Sequence, residues 1–328
     1  MEKVKYSFIM AAYNAEKYID CAIQSVINQS YSNWELVVVN DGSVDSTENI
    51  VQKYKKQDSR IKLITIRHTG TASQARNEAF KYLTGSYIQI LDSDDYISPD
   101  FLEYCTQKLE KDEFDILVPD AVYITDEQEI IWKKNPVHNI YDEILNGESA
   151  FMYSLDWQIH GVFMVKYHIL KKIKYDPELI DGDEFTTRKL LFSSSKITFF
   201  KGIYYYRKNM ESTTLSPKNQ VRMLECLNTK VKLYDFSLEN NMNAQCINLV
   251  RKQLIKSIVS YQLKFEKLKK ELSDDDYKKI ETLLKKTYNL INLKMLLKNI
   301  CCHSIILILS MKSYKLFDKE IYLIAKFY

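Results

Sequence analysis

Three aspartates, Asp92, Asp94 and Asp95, follow directly on the apolar run Tyr87-Ile88-Gln89-Ile90-Leu91. Side chains two apart in an extended chain share a face, so Asp92 and Asp94, with Ser93 between them, converge if the strand geometry continues past Leu91. Two such carboxylates can hold a divalent cation, because Mg2+ and Mn2+ take hard oxygen ligands and leave positions open for phosphate oxygens. The same aspartates ahead of Pro99 equally describe a turn with a helix cap, so the surrounding residues must decide. Asp41 ends a second apolar run, Val37-Val38-Val39-Asn40, where its carboxylate can accept a hydrogen bond from a base or a ribose. Arg76 stands in the helical pattern Ser73-Gln74-Ala75-Arg76-Asn77 and can reach an anionic ligand or hold Asp92. A surface ion pair is the plainer reading of that arginine. Later, Asp183 and Glu184 open a helical pattern that closes on Leu190-Leu191. A carboxylate there can take the proton of an attacking alcohol; two acids also simply favour the positive end of a helix.

One reaction would use all of these groups. A nucleotide diphosphate sugar loses its diphosphate when an acceptor oxygen attacks the anomeric carbon, and the departing charge needs a cation between the phosphates. The acceptor hydroxyl, a poor nucleophile near neutral pH, needs a base.

The elements that must position these residues can be read from the periodicity. Apolar runs at 6–10, 36–40, 61–66, 87–91 and 116–119 predict strands, and helical patterns at 15–28, 45–56 and 72–82 lie between them. Asp45 and Glu48 form a prospective capping pair, and Gly85 ends the third helix. Repeated strand and helix units predict an α/β fold, a Rossmann-like and mostly parallel sheet flanked by helices. In such folds ligands bind beyond the carboxyl ends of the strands, where Ala11-Ala12-Tyr13-Asn14, Asp41-Gly42-Ser43, His68 to Thr71 and Asp92 to Asp95 fall. From about residue 220 Gly and Pro vanish and Lys, Leu, Ile and Asn dominate, which predicts a C-terminal helical region over 218–328 after a domain at 1–217. Within the latter, residues 1–120 form the nucleotide-binding half and 121–217 the acceptor half.

The bulk properties fit an enzyme of this size. At 328 residues, 46% hydrophobic and 27% charged, the chain has the composition of a soluble globular protein of two domains. The six cysteines show no metal or redox spacing and read as reduced thiols. No secretory signal is visible at the start, so a cytoplasmic location is expected. Residues 251–328 hold 17 Lys and Arg against 8 Asp and Glu, a net +9, which leaves −6 for residues 1–250. The basic end suits either an anionic membrane surface, as a peripheral contact, or a solvated helical face. The apolar stretch 300–309 is too short to span a bilayer.

The series Ala12-Tyr13-Asn14, Asn40 to Thr47, Gly70 to Asn77 and Leu91 to Asp95 resembles the family 2 glycosyltransferases in order, spacing and strand-end placement over about residues 4–105. The resemblance implies the GT-A fold, a nucleotide-sugar donor and inversion at the anomeric carbon. By position it makes Ala12, Tyr13 and Asp41 nucleoside contacts, with Ala11, where the family usually has proline, contributing main-chain or apolar contact. It makes Arg76, Asp92 and Ser93 part of the nucleotide pocket, and Asp94, with Asp92, the ligands of Mn2+ or Mg2+ in a DXD motif. The segment Asp181-Gly182-Asp183-Glu184 resembles the family's base segment with glycine in place of its first acid, which implies Asp183 as base and Glu184 as second choice. Trp157 and His160 resemble an acceptor-side segment of capsular transferases. A tryptophan can stack on a sugar's CH face or pack in a core, and a histidine is commonly structural. Arg207 and Lys208 resemble a strand and loop that closes over the diphosphate, although no histidine accompanies them. The implied setting is bacterial surface polysaccharide synthesis. There a hexosyl or N-acetylhexosaminyl group would pass from a nucleotide diphosphate sugar, a UDP-sugar first among them, to a glycan or lipid-linked oligosaccharide. No nucleic-acid partner is expected.

Two rivals use similar sheets. A dinucleotide oxidoreductase lacks its glycine fingerprint here, and a Walker loop is absent. A catalytically silent nucleotide-sugar binding or scaffold protein is the alternative, since Gly182 weakens the base segment.

Overall fold

The computed structural model describes residues 3–126, 129–134, 140–179, 182–208, 226–268, 270 and 272–290. The first part alternates strand and helix: β1 (Tyr6–Ala12), α1 (Ile19–Ile27), β2 (Trp34–Asn40), α2 (Thr47–Gln57), β3 (Ile61–Thr65), α3 (Ala72–Ala79) and β4 (Tyr87–Ile90). These strands lie in the order β3-β2-β1-β4 and run parallel, with Tyr6 opposite both Trp34 and Tyr87, and Leu36 opposite Ile61. Both faces of β1 and β2 are covered, which is why their sequences are continuous apolar runs rather than alternating ones.

The chain continues through β5 (Tyr96–Ile97), α4 (Phe101–Leu109), β6 (Ile116–Ile124), β7 (Ile130–Lys134), α5 (Gly147–Leu155), β8 (Met164–Lys166), α6 (Tyr167–Ile173), α7 (Gly182–Phe192) and β9 (Ile197–Arg207). They extend the same sheet as β4-β8-β6-β9-β5, with β7 beside β6. In this half β8 is antiparallel to both neighbours and β5 to β9, while β6 and β9 are parallel. One core packs Phe8, Met10, Leu36 and Val38 under α1 and α4; the other packs Ile9, Val37, Val39 and Val118 under α3, α5, α6 and α7. The result is a sheet between two helical layers, and burial of the large apolar side chains stabilises it by about 1.5–3 kcal/mol each.

Several boundaries differ from the expected ones for local reasons. The first helix starts at Ile19 rather than Ala15, because the backbone N–H groups of Ala15 and Glu16 donate to Thr47 Oγ1 and Asp45 Oδ2 across the neighbouring loop. Asp45 Oδ1 does accept from Thr47 N–H, but Glu48 turns away to accept from Asn40 Nδ2 and Thr65 Oγ1, so no reciprocal capping box forms. The third helix ends at Ala79, with Phe80 and Tyr82 closing tighter three-residue turns. The fifth predicted strand continues through Pro119 to Ile124. Proline has no N–H to give the ladder, and the pairing slips there: Val118 faces Phe199, whereas Asp120 faces Ile203.

The chain divides into two compact units, Met1–Ser212 and Thr213–Tyr328. The described part of the second is α8 (Leu227–Glu239), α9 (Ala244–Leu268) and α10 (Asp274–Leu290), packed on one another. Val250, Leu254 and Ile258 form a buried stripe at helical spacing along α9. Among the described residues no helix is long and apolar enough to cross a membrane. The stretch 300–309, much of the basic C-terminal region, Asp181 and the expected boundary at 217 lie outside the described residues.

Candidate active site

The nucleoside end is built where β1 and β2 finish. Ala12 O accepts from Asp41 N–H at 2.8 Å, which joins the two strand ends. Asn14, in the left-handed region at φ 48°, accepts from Val44 N–H and donates its own N–H to Ser43 Oγ. With Glu16 accepting from Ser46 N–H, the two loops are zipped together and leave Tyr13 half-exposed at their rim. Asp41 is buried; its Oδ1 accepts from Thr69 N–H at 2.8 Å and its Oδ2 lies 3.0 Å from His68 Nδ1. Ala11 is half-buried and Ala12 buried.

The aspartates sit one strand further along. Leu91 N–H still donates to Ile9 O, after which residues 92–95 turn, with Asp95 N–H on Asp92 O. The turn is held from β9: Tyr204 OH donates to Asp95 Oδ2 at 2.7 Å and accepts from Asp92 N–H at 3.2 Å, while Arg207 N–H donates to Asp95 Oδ1 at 2.8 Å. Burial, reinforced by Asp92, pushes the Asp94 carboxyl up to about 6, and burial with Asp94 and Asp92 beside it raises Asp95 well above its ordinary value. The loop thus gathers three acids, two of which have their ionisation opposed by burial and by their acidic neighbours. Arg207 is buried, and its guanidinium donates to the carbonyls of Asp94, Thr125 and Asp126 between the rings of Tyr18 and Tyr96. Lys208 is exposed. Of the two expected phosphate-side cations, Arg207 braces the aspartate turn and Lys208 alone faces solvent. Ser93 is half-buried in the turn.

Arg76 joins this turn to the later acids. From α3 its guanidinium donates to Asp92 Oδ1 at 2.7 Å and lies 4.0 Å from Asp183 Oδ2, over the face of Tyr175 at 5.3 Å. Burial works against its charge, yet Asp92, Tyr175 and Asp183 more than offset that and raise its pKa. Asn77, one residue on, exchanges two hydrogen bonds with the backbone of Tyr175 and so clamps the segment leading to α7 onto α3. Gly182 then makes the approach possible: a Cβ there would lie 2.6 Å from Asp176 O and 2.7 Å from Ser73 Oγ. The substitution of glycine for an acid is therefore a packing requirement.

The two acids of α7 diverge. Asp183 is 60% exposed and turned to Arg76, whereas Glu184 is mostly buried and pairs with Arg188 at 3.3 Å. Arg188, itself buried, also donates to Ser154 O and lies 5.0 Å from the ring of Trp157. Trp157 is 51% exposed with φ 63°; a left-handed conformation costs a bulky residue roughly 1–2 kcal/mol. His160 is buried, with Nε2 3.1 Å from Pro119 O, a structural placement away from solvent.

Asp94 and Asp92 suit a divalent cation by donor chemistry: hard oxygens, partly desolvated and mutually repelling. Among the described residues no three His, Cys, Asp or Glu side chains form a cage of their own, and one or two carboxylates completed by phosphate oxygens is the donor set Mg2+ commonly uses.

Residues 7–173 match the family model described as Glycosyl transferase family 2. The chain belongs to this family. The match spans the residues from Ala11 to Asp94 together with Trp157 and His160; Asp183, Glu184, Arg207 and Lys208 lie beyond it. The family 2 chain is 27% identical over 212 residues to the glycosyltransferase GlyA of Streptococcus pneumoniae, covering 62% of itself and 30% of GlyA. It is 47% identical over 95 residues to the Escherichia coli UDP-Glc:alpha-D-GlcNAc-diphosphoundecaprenol beta-1,3-glucosyltransferase WfgD, covering 29% of itself and 37% of that protein. It thus spans about a third of the length of these relatives. In three dimensions it resembles residues 1–349 of S. aureus TarS in complex with UDP, with TM-score 0.58, 17% identity, and 89% and 82% of the two chains covered. The likeness gives this family 2 chain the GT-A fold.

Four contacts of the site were not among the expected roles: His68 beside Asp41, Tyr204 and Asp95 behind the aspartate turn, the Asn77 clamp, and Arg188 under Trp157. His68, Asn77 and Asp95 do stand in segments that the sequence marks as strand-end loops or family motifs, but nothing local in the sequence shows the contacts they make.

Proposed function

We propose that the protein is an inverting glycosyltransferase that moves a hexosyl or N-acetylhexosaminyl group from a nucleotide diphosphate sugar, with UDP the leading nucleotide, to a glycan or lipid-linked oligosaccharide. The observation that carries this is Arg76, whose buried guanidinium holds Asp92 on one side and meets Asp183 on the other. One cation sets the spacing between the turn that suits phosphate and metal and the carboxylate that suits a hydroxyl.

When bound at Asp94 and Asp92, Mn2+ or Mg2+ would supply Lewis-acid stabilisation of the leaving diphosphate. The chain's own groups do the rest. Asp41 and Tyr13 hold the nucleoside, and Asp183 accepts the acceptor's proton as its oxygen attacks from the face opposite the diphosphate, which inverts the centre. Arg76, 4.0 Å from Asp183 Oδ2, keeps that carboxylate beside the aspartate turn. Trp157, held over Arg188, offers an exposed ring to an acceptor sugar. The setting we infer is bacterial surface polysaccharide synthesis, in keeping with the lipid diphosphate named as WfgD's acceptor, at the cytoplasmic face of the membrane. The net +9 of residues 251–328 would supply the peripheral contact; co-sedimentation with anionic vesicles that persists in high salt would exclude it.

The test is release of free nucleotide from a panel of UDP- and GDP-sugars, with and without Mn2+. Metal-dependent release from at least one donor is expected. No release by folded protein from any donor, with acceptor glycans present, would leave the silent binding protein as the better reading.

A further inference from the structure

The run Asp92-Ser93-Asp94-Asp95 offers three acids, and the structure gives the third a different task. Asp92 and Asp94 are half-buried, whereas Asp95 is 2% exposed and has both carboxylate oxygens turned to β9. Its Oδ1 accepts from Arg207 N–H at 2.8 Å and its Oδ2 from Tyr204 OH at 2.7 Å. Asp95 is therefore not placed to join Asp92 and Asp94 around a cation.

Tyr204 is fully buried, and its hydroxyl also accepts from Asp92 N–H at 3.2 Å. That uses its one proton and one of its two lone pairs. A single oxygen thus ties residue 92 to residue 95, alongside the bond from Asp95 N–H to Asp92 O. The chain leaving the turn is fixed to the same strand, with Tyr96 opposite Tyr205, Ile97 opposite Tyr204, and Ser98 N–H donating to Ile203 O. The tie comes from a tyrosine 109 residues further along the chain than Asp95. Two carboxylates on a short turn hold one cation well only if the turn is held in turn, and groups that orient metal ligands without touching the metal commonly govern about 10- to 100-fold in metal affinity.

We propose that Tyr204, acting through Asp95 and the Asp92 backbone, is a positioning residue for the divalent cation, and that Asp95 is the internal anchor of the turn rather than a third ligand. The inference rests on the nucleotide-sugar reading and adds to it the part of the chain that sets its metal affinity.

The experiment is titration of the full chain with Mn2+ in saturating UDP, and again in GDP, read by the paramagnetic resonance signal of free Mn2+. It uses wild type, Tyr204→Phe, Asp95→Asn, Asp95→Ala and the double variant Tyr204→Phe/Asp95→Ala, with thermal unfolding of each metal-free protein alongside. Phenylalanine keeps the buried ring and removes the hydroxyl. Asparagine removes the charge and keeps both contacts, because its carbonyl can accept from Arg207 N–H while its amide donates to the Tyr204 oxygen, whose other lone pair still takes Asp92 N–H. Alanine removes both. Tyr204→Phe and Asp95→Ala should each weaken Mn2+ by at least about tenfold, and Asp95→Asn should stay within about threefold of wild type. The loss in the double variant should fall well short of the product of the two single losses, because both substitutions break the same link. Unchanged Mn2+ affinity in Tyr204→Phe, with only its metal-free Tm lowered, marks a packing role and overturns the proposal. So does a loss in Asp95→Asn as large as that in Asp95→Ala, the result expected if the charge of Asp95 met the cation directly. Were Tyr204→Phe to unfold, the two Asp95 variants make the same test. A wild type that takes up no Mn2+ with either nucleotide fails differently, because it removes the metal-dependent nucleotide-sugar reading itself.

Discussion

Asp183 and Glu184 are adjacent acids of the same chemistry, and the structure separates them by their partners. Asp183 faces solvent and Arg76, while Glu184 is paired beneath Trp157 with the buried Arg188. Asp183→Asn should therefore leave Mn2+-dependent nucleotide binding within about twofold and reduce transfer by roughly 10²–10⁴, the usual share of a general base. Glu184→Gln should weaken acceptor use and stability while retaining turnover. The check is kcat and acceptor KM for both variants beside nucleotide affinity. If Glu184→Gln loses the turnover and Asp183→Asn keeps it, the assignment is reversed. At this scale the sequence shows which residues can do chemistry, because strand-end acids and a helical arginine stand out by type and spacing. The family resemblance ranks Asp183 ahead of Glu184, but it does not show the partners that separate them. Those partners are Arg188, one turn from Glu184, and Arg76, 107 residues from Asp183.

At the scale of elements, the site depends on two helices meeting. α3 carries Arg76, α7 carries Asp183, and they approach at Ser73 and Gly182 with no room for a side chain. Gly182→Ala should push the start of α7 off α3 and lengthen the distance from Arg76 to Asp183. A displacement of about 1 Å can cost on the order of 10²-fold in rate. Transfer is expected to fall by at least tenfold, with nucleotide affinity nearly unchanged because Asp41, Tyr13 and Asp94 lie on other loops. Steady-state kinetics beside calorimetry would decide it; full activity in Gly182→Ala would show that the contact is slack. The alternation of strands and helices up to β4 was legible because each element buries a continuous apolar face. The second half was less so. The continuation of β6 through Pro119 depends on a slipped pairing with β9, and the tether of the aspartate turn depends on Tyr204, both long-range events with no local signature.

Within the first unit, two carboxylates at opposite ends of the sheet are shifted in opposite directions. At the amino end of β2, Glu35 is buried; burial alone would raise its pKa, but hydrogen bonds from Ser7, Thr84 and Lys62 outweigh that and bring it down to about 2. At the carboxyl end beyond β4, burial and Asp92 push Asp94 up to about 6. The two groups therefore act oppositely on stability. Glu35 is depressed below its unfolded value, so its contribution is complete above about pH 4.5 and is lost as the pH falls toward 2. Asp94 is raised, so the folded state holds a proton that the unfolded chain gives up near pH 4; its stabilising contribution is present below that and is lost as the pH rises through about 6. At neutral pH the first stabilises and the second opposes folding, each on the order of 3 kcal/mol, since every tenfold change in proton affinity is worth about 1.4 kcal/mol. Glu35→Gln should lower the Tm at pH 7, with the deficit shrinking toward pH 2. Asp94→Asn should raise the Tm of metal-free protein above pH 6, show no gain at pH 4, and lose the additional stabilisation that Mn2+ with UDP gives wild type. Thermal unfolding across pH 3–8, with and without Mn2+ and UDP, reads all of these. An Asp94→Asn Tm that tracks wild type at every pH would mean that the turn carries no stored charge for a cation to relieve.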